Sequence, residues 1–198
     1  DNKQKLASVS AQAAKYKQQY EEEHIIITNM SNSDIISKFT TTFKWLQAGN
    51  SYSNDEKTII YTEKQGKIYI VSDGNISEVK GLPSIYERGQ GGLMDIELHP
   101  NFKENNLIFL SYASGKRESG GNTAIASAEL LENKLVNLKL LYKGEEKTTR
   151  GQHFGSRIQI DNDGYLYFTI GDRGNRDVNP QDLKKDGGKV YRINIDGS

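Results

Sequence analysis

RGQGGLMD, residues 88–95, and RGQHFGSR, residues 150–157, begin with the same three letters 62 residues apart. Each triplet stands just ahead of a strand-like run and a turn. A spacing of that size holds about four strands, the length of one β-propeller blade, and stacked blades bury faces that one unit alone leaves exposed. Counted from Trp45, two to three such units fit in the chain. Propellers close with about four to eight blades, so the chain is expected to form part of a ring.

Outward from the triplets, apolar residues recur every second position, the period of a half-buried strand. Thr58 to Glu63 and Lys67 to Val71 flank KQG and are expected to form a hairpin. Leu93 to Leu98 and Leu107 to Tyr112 flank the longer turn HPNFKENN. Thr123 to Leu131 pairs with Leu135 to Tyr142, and Arg157 to Ile160 with Tyr165 to Ile170 across the turn signal DNDG. Lys189 to Ile195 is a last strand. The N-terminal stretch differs: Leu6, Val9, Ala13, Tyr16 and Tyr20 recur at steps of three and four among good helix formers. The expected architecture is therefore an all-β partial propeller over residues 38–198, preceded by an α-helical extension over residues 1–37.

Composition narrows the function classes. Acidic and basic residues balance at 26 each, so no overall field points to nucleic acid or a membrane surface. Without cysteine, disulfides, thiolate metal sites and Cys nucleophiles are excluded. No apolar run approaches the roughly 18 residues that span a bilayer. Nineteen glycines against three prolines suit a protein of many short turns.

The chemistry gathers at the second triplet. With the DNDG turn centred between Asn162 and Asp163, His153 faces Asp172. Centred on Asp163 and Gly164, the turn places Asp172 opposite Gly155. In either register the imidazole and the carboxylate reach the same end of the sheet. Neutral imidazole accepts a proton near pH 7, and a carboxylate on its other nitrogen fixes the tautomer. A pair that only ties two loops together is the competing reading. Gln90 holds the matching place one repeat earlier and is expected at the same mouth of the channel. Asp95, within a strand, is expected to tie loops or pack, and His99, before Pro100, to serve a turn.

ERGQGGLMDIELHPNF, NLIFLSY, HFGSRIQIDNDGYLYFTIGDRG and QDLKKDGGKVYRINIDGS together resemble, in that order, the soluble PQQ-dependent aldose sugar dehydrogenases, the glucose/sorbosone dehydrogenase family. The resemblance runs from about residue 40 to residue 198. It implies a six-bladed β-propeller, of which this chain holds about half, with pyrroloquinoline quinone (PQQ) across one end of the channel and Ca²⁺ polarising the quinone. It further implies oxidation of an aldose at C1 to a lactone by hydride transfer, electrons then passing to an external acceptor. A periplasmic or secreted location follows from the same resemblance.

Carried over residue by residue, the resemblance makes His153 the general base, Asp172 its orienting carboxylate, and Gln90 a group at the cofactor and substrate pocket. Two positions depart from the glucose-oxidising members. Gln152 precedes the histidine in place of Asp, and Asp177 stands in place of a pocket Gln; both become candidate substrate contacts. Arg157 matches the pattern without an assigned role. The Ca²⁺ ligands are expected mainly beyond residue 198, with no metal ligand among the residues named. The alternative to an enzyme is a propeller binding module that keeps the scaffold without redox chemistry.

Overall fold

The computed structural model describes residues 58–72, 75–144 and 148–198. The helical stretch expected within residues 1–37 lies outside them. Three antiparallel sheets follow one another along the chain. The first contains β1 (Thr58–Glu63), β2 (Lys67–Ser72) and β3 (Asn75–Glu78), and the second β4 (Leu93–Leu98), β5 (Leu107–Lys116), β6 (Gly120–Leu131) and β7 (Lys134–Lys143). The third contains β8 (Ile158–Ile160), β9 (Tyr165–Ile170) and β10 (Lys189–Asn194). A one-turn helix, α1 (Phe102–Asn105), fills the β4–β5 connection. Only the middle sheet has the four strands expected of each repeat; among the described residues its neighbours have three.

The sheets meet through their first strands. β1 lies against β4 and β4 against β8, so the first strands of successive sheets are neighbours. This is the blade order of a propeller. The middle sheet is covered on both faces, and its sequence alternates to match. Ile108, Leu110 and Tyr112 of β5, with Ala124, Ala126 and Ala128 of β6, pack toward the first sheet. Phe109 and Ile125 point the other way, onto Ile158, Leu166, Phe168 and Ile170 of the third. Each large side chain so removed from water contributes about 1.5–3 kcal/mol. That double coverage explains why nearly every residue of β6 is buried, although its alanines alone bury little area.

β4 needs one irregularity to serve both neighbours. Leu93 and Ile96 belong to the core shared with the first sheet, yet they are three residues apart, which strict alternation forbids. A bulge between Leu93 and Asp95 supplies the phase shift. Asp95, 3% exposed, consequently faces the third sheet, where it accepts the Ile158 N–H at 2.9 Å and lies 3.4 Å from the Arg157 guanidinium. Asp95 is thus the inter-sheet tie expected of it, and Arg157 is its partner. His99 serves its turn by accepting the Asn101 N–H on Nδ1 at 2.9 Å.

The DNDG turn corrects the expected registers. The pairs are Ile158 with Phe168, Gln159 with Tyr167 and Ile160 with Leu166, midway between the two alternatives. Asp161 causes this. Its carboxylate accepts the N–H groups of Asp163 and Tyr165, while Gly164 adopts φ +83°, closing a three-residue loop. Extrapolated beyond the ladder, Asp172 would face Phe154 and not His153.

Glu97, two residues beyond Asp95 on β4, is half-buried. Burial first, then the Asp95 carboxylate, push its carboxyl up to about 7 against the pull of Arg157. The folded chain therefore holds a proton that the unfolded chain releases near 4.5. Stability contributed by this group falls as pH rises between those values. We expect Glu97→Gln to leave stability near wild type at pH 4.5 and to gain progressively on it up to pH 7, with a plateau above. Thermal melts of both proteins across that range measure the difference.

Candidate active site at the rim

The two RGQ triplets lie back to back at one end of the sheets. The Gln90 N–H donates to the Gly151 carbonyl at 2.6 Å. A Cβ on Gly89, which has φ +57°, would run into that same carbonyl, and a Cβ on Gly151 would come within 2.7 Å of the Arg88 carbonyl. The repeated glycine is thus a requirement of backbone meeting backbone. From this contact Gln90 reaches across, and its Oε1 accepts the His153 backbone N–H at 2.7 Å.

His153 is held in the left-handed region, φ +53°, and positive φ recurs at Gly155 and Ser156. These turns swing the chain off the β8 line and return the imidazole to Asp172, despite the extrapolated register. His153 Nδ1 and Asp172 Oδ1 are 2.6 Å apart. The same Oδ1 accepts the Gly174 N–H at 2.7 Å, and Asn179 Nδ2 donates to the Asp172 backbone carbonyl at 2.9 Å. The His153 hydrogen bond, assisted by the Gly174 N–H and opposed by partial desolvation, holds the Asp172 carboxyl below the usual carboxylate range. An ionised carboxylate only accepts, so the shared proton belongs to Nδ1, and in a neutral imidazole the lone pair is then on Nε2. The imidazole side chain is 46% exposed, open to a bound molecule.

Gln152 joins this group. Its backbone carbonyl accepts from Arg173 Nη1, and its side-chain amide lies against Gly174. Asp177 does not join it: its side chain is 91% exposed and sits 3.9 Å from Arg176. Arg157, engaged with Asp95, also faces elsewhere. Two participants escaped the sequence reading. Arg173 is 4% exposed, and Phe154 is 2% exposed with its carbonyl accepting the Thr123 hydroxyl at 2.6 Å. The signal was the arginine that directly follows Asp172 inside GDRG. Among the described residues no group of three or more His, Asp or Glu side chains is placed to hold a metal. No helix among them is long and apolar enough to cross a membrane.

The model of the glucose/sorbosone dehydrogenase family matches residues 49–198, three quarters of the chain. The chain belongs to that family. It is 29% identical over 147 residues to aldose sugar dehydrogenase YliI of Escherichia coli, covering 72% of this chain and 39% of the relative. To quinoprotein glucose dehydrogenase B of Acinetobacter calcoaceticus it is 29% identical over 166 residues, covering 67% and 34%. The chain thus spans between a third and two fifths of the length of these curated relatives. The apo crystal structure of the soluble aldose sugar dehydrogenase of Escherichia coli superposes with TM-score 0.70 at 29% identity, over 74% of this chain and 43% of that one. The PQQ-bound aldose sugar dehydrogenase of Streptomyces coelicolor shares the fold at TM-score 0.62 and 24% identity, over 71% and 42%. The three sheets are consecutive blades of a β-propeller.

The tight meeting of the triplets generates a test. Gly89→Ala places a Cβ against the Gly151 carbonyl at a φ that disfavours it, and should cost on the order of 1–3 kcal/mol or more. Urea denaturation of the variant and the wild type measures this, and equal midpoints would show that the two turns are not packed as described.

Proposed function

We propose that this chain carries the proton-accepting half of the site of a PQQ-dependent aldose dehydrogenase, the sugar being oxidised at C1 to a lactone. The observation that carries the proposal is the 2.6 Å contact between His153 Nδ1 and Asp172 Oδ1, with Gln90 bracing His153 from the preceding repeat. The relatives' names, aldose sugar dehydrogenase and quinoprotein glucose dehydrogenase, support the substrate class and the quinone.

The donor set fits a quinone bearing carboxylates. Gln90 spends Oε1 on His153 and keeps its amide N–H groups for an acceptor. Arg150, which opens the second triplet, donates Nη1 to the carbonyl of Gly174, the residue whose N–H meets Asp172, and so brings positive charge beside the pair. Bound PQQ would supply a two-electron acceptor for the C1 hydride and pass the electrons to an external acceptor. His153 Nε2 takes the proton from the C1 hydroxyl as the C1–O bond becomes a carbonyl. Asp172 keeps Nδ1 protonated, so the lone pair stays on Nε2, and it stabilises the imidazolium that forms. Gln90 and Gln152 orient the sugar or the quinone beside that nitrogen. The Ca²⁺ that the family resemblance implies finds no three-ligand cluster among the described residues, and no step is assigned to it.

Full-length protein reconstituted with PQQ and Ca²⁺ should reduce an artificial dye when supplied with aldoses. His153→Ala should lower turnover by roughly 10²–10⁴ while PQQ affinity, followed by absorbance titration, changes little. Undiminished turnover in that variant would remove His153 from the reaction. A wild-type protein that binds sugar but never PQQ would instead mark a binding module.

A further inference from the structure

We infer that Arg173 is a positioning residue: by gripping both chain neighbours of His153, it sets the imidazole where Asp172 can meet it. The kinetic consequence rests on the proposed dehydrogenase reading; the structural role does not.

His153, at φ +53°, occupies a conformation that is strained for a non-glycine residue and persists only where its surroundings over-determine it. Its own N–H is held by Gln90. Its flanks are held by Arg173. Nη1 donates to the carbonyl of Gln152 on one side, and the guanidinium carbon lies 3.5 Å over the ring of Phe154 on the other. Nη2 donates to the Gly121 carbonyl at 3.1 Å, referring the turn to β6 of the middle sheet. One planar fork thus touches residues 121, 152 and 154 at once, which the single ammonium of a lysine has no geometry to copy.

The burial of this charge is costly. Arg173 is 4% exposed, forms no ion pair among the described residues, and leaves Nε without a hydrogen-bond partner. Desolvation brings its pKa down to about 10, so it remains charged at neutral pH. A buried cation without a bound carboxylate is destabilising in itself. Its compensation is the two carbonyls and the aromatic face, and these are the flanks of His153 and their anchor. Arg173 also follows Asp172 directly in the chain. One turn therefore supplies the acceptor for Nδ1 and the brace for the residues that carry the ring, so the hydrogen bond has both ends referred to one rigid segment.

The test uses Arg173→Met, Arg173→Lys and Arg173→Ala in protein with ¹⁵N-labelled histidine. In wild type the Nδ1 proton of His153 should give a protected, strongly downfield resonance, assigned by its loss in His153→Ala. Arg173→Met and Arg173→Lys should abolish it or bring it into rapid exchange while the folded near-ultraviolet dichroism persists. Ethylguanidinium at low millimolar concentration should restore it in Arg173→Ala. In the PQQ-loaded enzyme, the same substitutions should lower kcat by up to about 10²-fold with the aldose KM nearly unchanged. A retained resonance with unaltered kcat would overturn the inference, as would collapse of the fold in all three variants without rescue, which would make Arg173 a folding residue only. If the wild type turns over no aldose, the dehydrogenase reading fails and the resonance alone decides the role of Arg173.

Discussion

Everything at the rim depends on one close approach, the meeting of the Gln90 amide with the Gly151 carbonyl. It joins the entrance of the second blade to the entrance of the third where neither side has room for a side chain. From that seam Gln90 extends to the His153 amide, and the following residues curl through positive φ toward Asp172. The repeated triplet is a structural joint. The second copy also carries, one position further on, the group able to take a proton.

The sheets supply what the seam requires. A three-residue loop closed by the Asp161 carboxylate follows β8 at Ile160, and because β8 begins only at Ile158, residues 150–157 stay outside the ladder and cross the rim. The bulge in β4 sends Leu93 to one neighbour and Asp95 to the other, so a single strand locks to both sides. Neither device uses unusual residues. Each changes the phase of a strand by one position, which redirects every side chain after it.

Most of the fold was legible because alternation and glycine-rich turns are local signals. The strands from Thr58 to Asn194 fall where period-two runs end at KQG, HPNFKENN and DNDG. β3 was missed since NISE offers one apolar residue, too few for a period. The register at DNDG was missed by one step because the Asp161 side chain, by accepting the Asp163 and Tyr165 N–H groups, decides the loop length. At the site, the His153–Asp172 pair was read from spacing that turned out slightly wrong, yet the pair formed because the loop bends toward the acid. Asp177 was placed by resemblance and lies out in solvent. The arginine next to Asp172 was visible, but its grip was not, because one of its partners, Gly121, is 52 residues away.

The bracing of His153 from two blades also changes what the interior between them means. Phe109 and Ile125 of one blade pack onto Ile158 and Phe168 of the next, forming the apolar layer between them. Gln90 is carried by one member and Asp172 by the other, so the contacts that hold His153 span the two blades which that layer joins. The layer between the two blades therefore also backs the two groups that hold the imidazole.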